Sequence, residues 1–458
     1  MKDLKSASVL PAGGDAPRFA RRLPFFYGWV IVLVSFWSSM LTSGITTYGF
    51  SVFMRFLSAD LGWSRGAISG VALVRTIASM AAGPVLGKYA DRPRGPQVLS
   101  AIGALLAGGS LILVAFAQEI WQFYLLFGVL WGVAMVTLGG LVLGPAVVSK
   151  WFERKRGRAL AIATMGISAG GIVTVPLTSV LINLYGWRGA WAALGIIMLA
   201  TVFPMGLFLM RRQPEDVGLL PDGDSPDDAA RRAAHKQGRM LSVRGSFTNK
   251  QAFRSRPFWV LTVVQTLTSL VLSSVLMHQV AYVQDKGFGL VLAVAIGTLV
   301  AVFAGISKVP AGLLAERIPV RYLITGAYLL SGGALWLLIT STSGPMLYVY
   351  SVLYGLGVGS GPVLRSAAWA SYFGRANLGS ILGVTTLLTQ WTGGIGPVFA
   401  GLMYDMVGSY DIAFMVFSGS LILAALSMLF AGPPKEPDAE EKSAPAMPLA
   451  GTASPAKG

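Results

Sequence analysis

After its second long apolar run the chain reads Gly87-Lys88-Tyr89-Ala90-Asp91-Arg92-Pro93-Arg94-Gly95. After its eighth, displaced by 225 residues, it reads Gly312-Leu313-Leu314-Ala315-Glu316-Arg317-Ile318-Pro319-Val320-Arg321. Both stretches are Gly-x-x-x-acid-Arg at the end of an apolar run. A second pair follows: Trp151-Phe152-Glu153-Arg154-Lys155-Arg156-Gly157-Arg158 before the fifth run is echoed by Tyr372-Phe373-Gly374-Arg375-Ala376-Asn377-Leu378-Gly379 before the eleventh, displaced by 221. Two independent echoes at a nearly constant offset are the signature of a chain assembled from two repeated units of six helices.

Working outward, apolar runs long enough to span a bilayer fall near 25–53, 65–89, 97–117, 121–148, 158–182, 188–210, 257–283, 290–315, 321–342, 345–370, 376–404 and 409–431. Composition agrees: of 458 residues 54% are hydrophobic and 12% charged, against roughly 45–50% and about 25% in a soluble domain. A water-soluble globule is excluded. Long runs in place of short alternating segments exclude an outer-membrane barrel, and 56 Gly suit close helix packing in lipid. The expected fold is an all-α membrane protein with twelve transmembrane helices in two pseudo-symmetric six-helix bundles. The expected organisation is an N-terminal tail at 1–22, a bundle at 23–210, a polar linker at 211–256 that is partly helical around Asp227 to Gln237, a second bundle at 257–431, and a tail at 432–458 too poor in apolar residues to fold. The first run is too long for a signal-peptide core and lacks a cleavage site, so it stays in the mature protein.

The net charge of +16 is mostly a topology signal. With both termini in the cytoplasm, 29 of the 36 Lys and Arg residues fall in cytoplasmic segments, 4 in external loops (Arg55, Arg65, Arg188, Lys286) and 3 inside spans, as the positive-inside rule requires. The expected location is the cytoplasmic inner membrane, with attraction to anionic lipid and no nucleic acid partner. Zero Cys and a pair of His residues, His235 and His278, supply no metal cluster or acid–base constellation. Neither an enzyme nor a cofactor is expected.

On the loop patterns at 87–95 and 312–321, the sequence resembles the major facilitator superfamily of secondary transporters over about 25–431. In that family the Gly (Gly87, Gly312) lets two helices approach closely. The acid (Asp91, Glu316), beside its Arg (Arg92, Arg317), can accept hydrogen bonds from helix N-terminal amides or pair with Arg across the cytoplasmic end, and the resemblance implies that such contacts hold the inner gate shut in the outward-facing state. Gly95 stands four residues after Asp91, where the family usually has three. Two glycine groups, Gly166-x-x-x-Gly170-Gly171 ahead of Pro176 and Gly393-Gly394-Ile395-Gly396-Pro397, permit tight crossings and bending, and are expected in helices that change packing partner.

All 20 acidic residues lie in loops, tails or span ends, whereas Arg75, Lys308 and Arg365 lie inside spans. Each intramembrane cation costs at least ~2.5–3.5 kcal/mol, and no buried carboxylate offsets it. A water-filled central cavity that draws an anionic substrate resolves the cost. Arg75, twelve residues before Gly87 and so about 18 Å from the cytoplasmic end, is too deep to snorkel out.

The stretch 305–317, together with Phe26-Tyr27-Gly28-Trp29, Leu61-Gly62-Trp63-Ser64 and His278-x-x-x-Tyr282-x-x-x-x-Gly287, resembles the monocarboxylate transporter and oxalate:formate antiporter branch. The resemblance implies that the basic residue four before Gly312, here Lys308 in place of the usual Arg, binds the substrate carboxylate. Four residues earlier, where proton-coupled members carry Asp, this chain has Ala304. Tyr48, Gln265, Trp369 and Gln390 are secondary candidates for substrate contact, and His278 is a candidate proton-passing group. Polar stripes on the first span (Ser38, Ser39, Thr42, Ser43, Thr46, Thr47) and the seventh (Thr262, Gln265, Thr266, Ser269, Ser273) are expected to line the cavity. The expected function is transport of a small mono- or dicarboxylate by alternating access, by a monomer, with a co-transported proton or a counter-transported anion. The rivals are export of larger amphiphiles, favoured by 11% aromatic content but not by any buried acid, and a non-transporting sensor.

Overall fold

The computed structural model describes residues 24–140, 145–224, 247–374, 377–432 and 434. The tails expected at 1–22 and beyond 434, and the linker helix expected around 227–237, lie outside the described residues. Among the described residues there are ten helices long and apolar enough to cross a membrane. One of these, Arg156–Leu209, is two crossings, because Gly186 at φ 69° turns the chain within it. A further crossing is made of Leu378–Thr389 and Thr392–Val407, joined through Gln390 and Trp391, which keep helical φ/ψ. Twelve crossings result: α1 Gly28–Leu61, α2 Arg65–Ala90, α3 Gly95–Val114, α4 Ile120–Leu138, α5 156–185, α6 187–209, α7 Arg256–Asp285, α8 Leu290–Ala315, α9 Val320–Thr340, α10 Gly344–Phe373, α11 378–407 and α12 Asp411–Leu429.

The first helix runs past the expected end at 53 to Leu61, with a π-helical turn at Gly44–Gly49. Wide turns of this kind accommodate a close neighbour. Here the neighbour is α5: a Cβ on Gly44 would lie 2.5 Å from Thr174, and one on Gly170 2.5 Å from the Met40 carbonyl.

The halves obey a pseudo-two-fold relation in their packing. In the first, α1 packs on α5, α2 on α4 and α3 on α6; in the second, α7 packs on α11, α8 on α10 and α9 on α12. Two seams between the halves are related by the repeat, α2 against α11 and α5 against α8, and α1 meets α7 between them. The outer faces carry exposed Ile196, Trp336 and Leu423, as lipid-facing positions should. One end of the bundle, termed the near end, holds residue 24, the linker attachments and the end of α12. The opposite end is termed the far end.

The described linker residues 211–224 are tied to the first half, and 247–256 to the second, where Phe247 N–H donates to the Phe373 carbonyl at 3.1 Å and Asn249 to Ser380 at 2.6 Å. Asp222, with φ 61° the one non-glycine residue in the left-handed region among those described, accepts hydrogen bonds from the backbone N–H groups of Glu153, Arg154 and Lys155 at 2.7–3.1 Å. The carboxylate thus satisfies amides just before α5.

The glycine groups divide. Gly166 and Gly170 meet the Phe36 and Met40 carbonyls of α1, inside their own half, while Gly171 meets Ala301 of α8 in the other half. Gly394 and Gly401 meet Leu73 and Arg65 of α2 in the other half, while Gly396 meets Leu270 of its own half.

Candidate functional site

A cavity of about 670 Å³ lies between the halves. Its wall on the first half is Ser39, Thr42 and Ser43 of α1, Ser79, Met80, Gly83 and Pro84 of α2, Met135 and Val136, and Ile167 of α5. Its wall on the second half is Gly383, Thr386, Leu387 and Gln390 of α11. Gly83 and Gly383 each lie within about two turns of the near end, so the cavity belongs to the near-end half of the bundle. The polar stripe of α1 contributes to it as expected, whereas the stripe of α7 is absent from this wall. Gln265 instead donates to Thr389 at 3.1 Å, and the Thr266 carbonyl accepts from Thr392.

Arg75 stands one turn beyond Ser79 toward the far end, on the same helix face. Its guanidinium carbon is 5.9 Å from the centre of the Phe127 ring, and its Nη1 is buried with no hydrogen-bond partner among the described residues. A buried, unpaired guanidinium nitrogen is costly, because its lost hydration is unreplaced. Lys308 crosses the α5–α8 seam and donates from Nζ to Ser168 Oγ at 2.9 Å; the next residue along α5, Ile167, is on the cavity wall. Neither cation has a carboxylate partner among the described residues.

Other expected contacts lie elsewhere. Arg365 donates to the Tyr328 hydroxyl at 2.9 Å, tying α10 to α9 inside the second half. Trp369 is buried against Phe258 and Phe373, a packing role set by its depth in the α7–α10 contact. Tyr48 is buried against Gly171. Among the residues expected to touch substrate, Gln390 is the one on the cavity wall.

His278 is also off the wall. It is fully buried at the far end, with Nε2 3.1 Å from the Pro397 carbonyl and 3.2 Å from Ser69 Oγ, and Nδ1 3.0 Å from the Tyr410 hydroxyl. A carbonyl only accepts, so Nε2 carries the proton, Ser69 shares it, and Nδ1 accepts from Tyr410. Every ring nitrogen is spent on structure. In place of a proton-passing group facing the cavity, the residue is a hydrogen-bonded strut between halves.

Beside it is a charged contact between the halves, which residue order along the chain does not reveal. Arg65, counted above as an external topology charge, is 5% exposed. Its guanidinium pairs with both carboxylate oxygens of Asp285 from α7 and lies over the Tyr404 ring at 3.7 Å and that of Tyr410 at 5.2 Å. Asp405 of α11 accepts from the backbone N–H groups of Arg65 and Gly66 at 2.9 and 2.8 Å. It caps α2, where the helix dipole favours negative charge. With Val280 N–H donating to Ser51 Oγ at 3.0 Å, the far end is closed.

Among the described residues the near end has no such clasp. A Cβ on Gly87 would meet nothing within 4 Å, and one on Gly312 would meet only Val363, at 3.8 Å. The close helix approach expected at the repeated motif is therefore absent in this state. Asp91 accepts from Lys150 at 2.9 Å, Arg92 lies over Tyr89 of its own helix at 4.4 Å, and Glu316 and Arg317 are exposed. The motif's gate contacts are open while the far end is shut.

Comparison with known proteins agrees with this architecture. The Major Facilitator Superfamily model matches residues 36–307 and 295–455, and the chain belongs to that superfamily. It is a multi-pass membrane transporter and not an enzyme. Among curated relatives it is 26% identical to monocarboxylate transporter 13 of Rattus norvegicus, over 89% of each chain. It is 26% identical to monocarboxylate transporter 11 of Homo sapiens, over 89% of this chain and 83% of that one. Among solved structures, a D-xylose-proton symporter superposes with a TM-score of 0.66 at 17% identity, over 88% of this chain and 97% of that one. An inward-facing bacterial homolog of the human lysosomal transporter Spinster gives 0.62 at 14%, over 88% and 94%. These structures share the fold.

Proposed function

We propose that the protein carries a small organic anion, a mono- or dicarboxylate, across the cytoplasmic membrane by alternating access, with the near end in the cytoplasm and the structure in its inward-open state. The observation that carries this reading is the buried Nη1 of Arg75, which lacks a partner among the described residues, one turn from a hydroxyl-lined cavity. A carboxylate supplies the missing acceptor and neutralises the charge. Lys308, held by a neutral hydroxyl from the opposite half, is the second cation. Its ammonium exchanges Ser168 for substrate as the halves rock about the site. The relatives named monocarboxylate transporters support the substrate class, and the distribution of Lys and Arg supports the orientation.

Ala304 is buried against Gly359, and among the described residues no carboxylate pairs with Lys308 to take a proton. The cycle is completed by a co-transported proton bound elsewhere or by a counter-transported anion. Purified protein in liposomes, offered labelled mono- and dicarboxylates with pH gradient, voltage and internal anion imposed separately, tests the reading. Saturable carboxylate uptake is expected, and its response to each gradient identifies the coupling. Transport of cationic amphiphiles with no carboxylate uptake overturns it.

A further inference from the structure

At the near end of the second half the chain turns a corner. The short helix Asn249–Arg254 meets α7 at a single extended residue, Ser255, with φ −88° and ψ 138°. Asn249 donates to Ser380 of α11, Phe247 N–H donates to the Phe373 carbonyl at the end of α10, and Ala252 is buried. The Trp259 indole N–H donates back across the corner to the Phe253 carbonyl at 2.9 Å, which fixes the ring. The corner is thus fastened to α7, α10 and α11 of one half.

Its charge is unbalanced. Lys250 and Arg254, one turn apart on one face of the short helix, and Arg256, the first residue of α7, are exposed. None of the three has a hydrogen-bond or ion-pair partner among the described residues, and no Asp or Glu stands in the chain between Asp228 and Asp285. At the near end of the first half, by contrast, Lys150, Arg154 and Arg212 hold Asp91, Asp224 and Asp216. What lies below the cations points to their occupant. Arg256, Trp259 and Val263 fall within about 60° of one another around α7; the indole is 53% and the valine 47% exposed. None is on the cavity wall, and Phe258, on another face, is buried against Trp369 of α10. Cation, indole and aliphatic side chain therefore follow one another along an outer face over about 10 Å, the order of phosphate, interface and acyl chain in a leaflet. A soluble anion would use the cations and leave the strip beneath them idle.

We infer that this corner is a binding site for an anionic phospholipid. Lys250, Arg254 and Arg256 take the headgroup phosphate in charge-assisted hydrogen bonds, Trp259 lies at the level of the glycerol, and Val263 meets the acyl chain. Because the corner is fastened to α10 and α11, a bound lipid holds the near end of the second half to the leaflet while the first half moves. The inference needs a chain that crosses the membrane and stands apart from the carboxylate reading.

The test is lipid binding by the purified full chain, read by mass spectrometry of the intact complex and by thermal melting in bilayer discs of phosphatidylcholine alone and of equimolar phosphatidylcholine and phosphatidylglycerol. The wild type is expected to retain phosphatidylglycerol in preference and to melt higher when it is present. The triple variant Lys250→Gln, Arg254→Gln, Arg256→Gln is expected to lose about fivefold in affinity per cation, roughly 100-fold in all, while melting as the wild type does in phosphatidylcholine alone, which shows that it is folded. Removing equal charge elsewhere at the near end, with Lys88→Gln, Arg158→Gln and Arg317→Gln, should leave the preference intact, and Trp259→Ala should weaken it to a smaller degree. Equal retention of the two lipids by the wild type, equal losses in the two triple variants, or the full rise in melting from free glycerol phosphate overturns the inference. So does retention that appears only after residues 435–458 are removed, which would give the corner to the acids of the chain's own tail, Glu436, Asp438, Glu440 and Glu441.

Discussion

Two arginines ten residues apart on α2 have opposite surroundings. Arg65 has Asp285 on its guanidinium, Tyr404 and Tyr410 over its face, and Asp405 on its backbone amide. Arg75 has a phenylalanine ring 5.9 Å away and a buried nitrogen with no partner among the described residues. The first is fully satisfied by the opposite half, so its charge holds the halves together. The second is satisfied by nothing described in either half, and on the proposed reading its charge awaits a ligand. Carboxylates thus mark where the bundle is shut, and on the proposed reading their absence among the described residues marks where an anion is carried.

Replacing the second carrier of free charge should have the largest effect. Lys308→Ala is expected to lower carboxylate uptake in liposomes by about 100-fold, within the range for removing one partner of a desolvated charge pair. Lys308→Arg should recover at least about a tenth of wild-type uptake, because a cation is retained with different geometry. Wild-type uptake by the Ala variant would remove Lys308 from the site.

Breaking the satisfied arginine should change the conformational balance rather than substrate affinity. Arg65→Ala leaves Asp285 without its partner, while Asp405 keeps the backbone amides of residues 65 and 66, and is expected to destabilise the closed far end by about 3 kcal/mol. The chain has no Cys, so a single cysteine at Leu73, under Gly394, reports opening directly. Its labelling from the far side should rise in the Arg65→Ala background, and an unchanged rate would show that other contacts hold that end.

Giving a free cation an acid should convert it to the satisfied kind. Ser168→Asp places a carboxylate where Lys308 now meets a hydroxyl, and uptake is expected to fall about tenfold as substrate competes with a fixed counter-charge. Faster uptake would contradict the exchange of Ser168 for substrate. The smallest effect belongs to Glu316→Gln at the open near end. Glu316 is exposed, so thermal stability should stay within about 0.5 kcal/mol of wild type. A larger loss would mean that the motif already holds this state together.

Depth along each crossing was legible in the sequence, whereas the direction a side chain faces was not. Apolar runs of bilayer length and the displaced echo of Gly87 to Arg94 in Gly312 to Arg321 follow from covalent order, and with them the two bundles. Arg75 and Lys308 stood out because a charge inside an apolar run needs no partner to be noticed. Arg65 did not, because its partners lie 220 and 340 residues away and a charge at a span end reads as topology. His278 and Trp369 were placed at correct depths and expected at the substrate, yet one serves the far-end clasp and the other the α7–α10 packing. The apolar pattern is nearly uniform around these helices, so it carries little information about which face meets which neighbour.

The unpaired guanidinium is tested most directly by Arg75→Met, which keeps the length of the side chain and removes its charge. Thermal melting of the purified variant, measured with and without a transported carboxylate, separates the charge's cost from its use. The expected result is a ligand-free melting temperature equal to or above that of the wild type, because an unsatisfied buried cation is gone, together with loss of the carboxylate-induced rise seen in the wild type. A variant that melts lower without ligand yet keeps the full carboxylate-induced rise would show that Arg75 supports the fold and does not bind the anion.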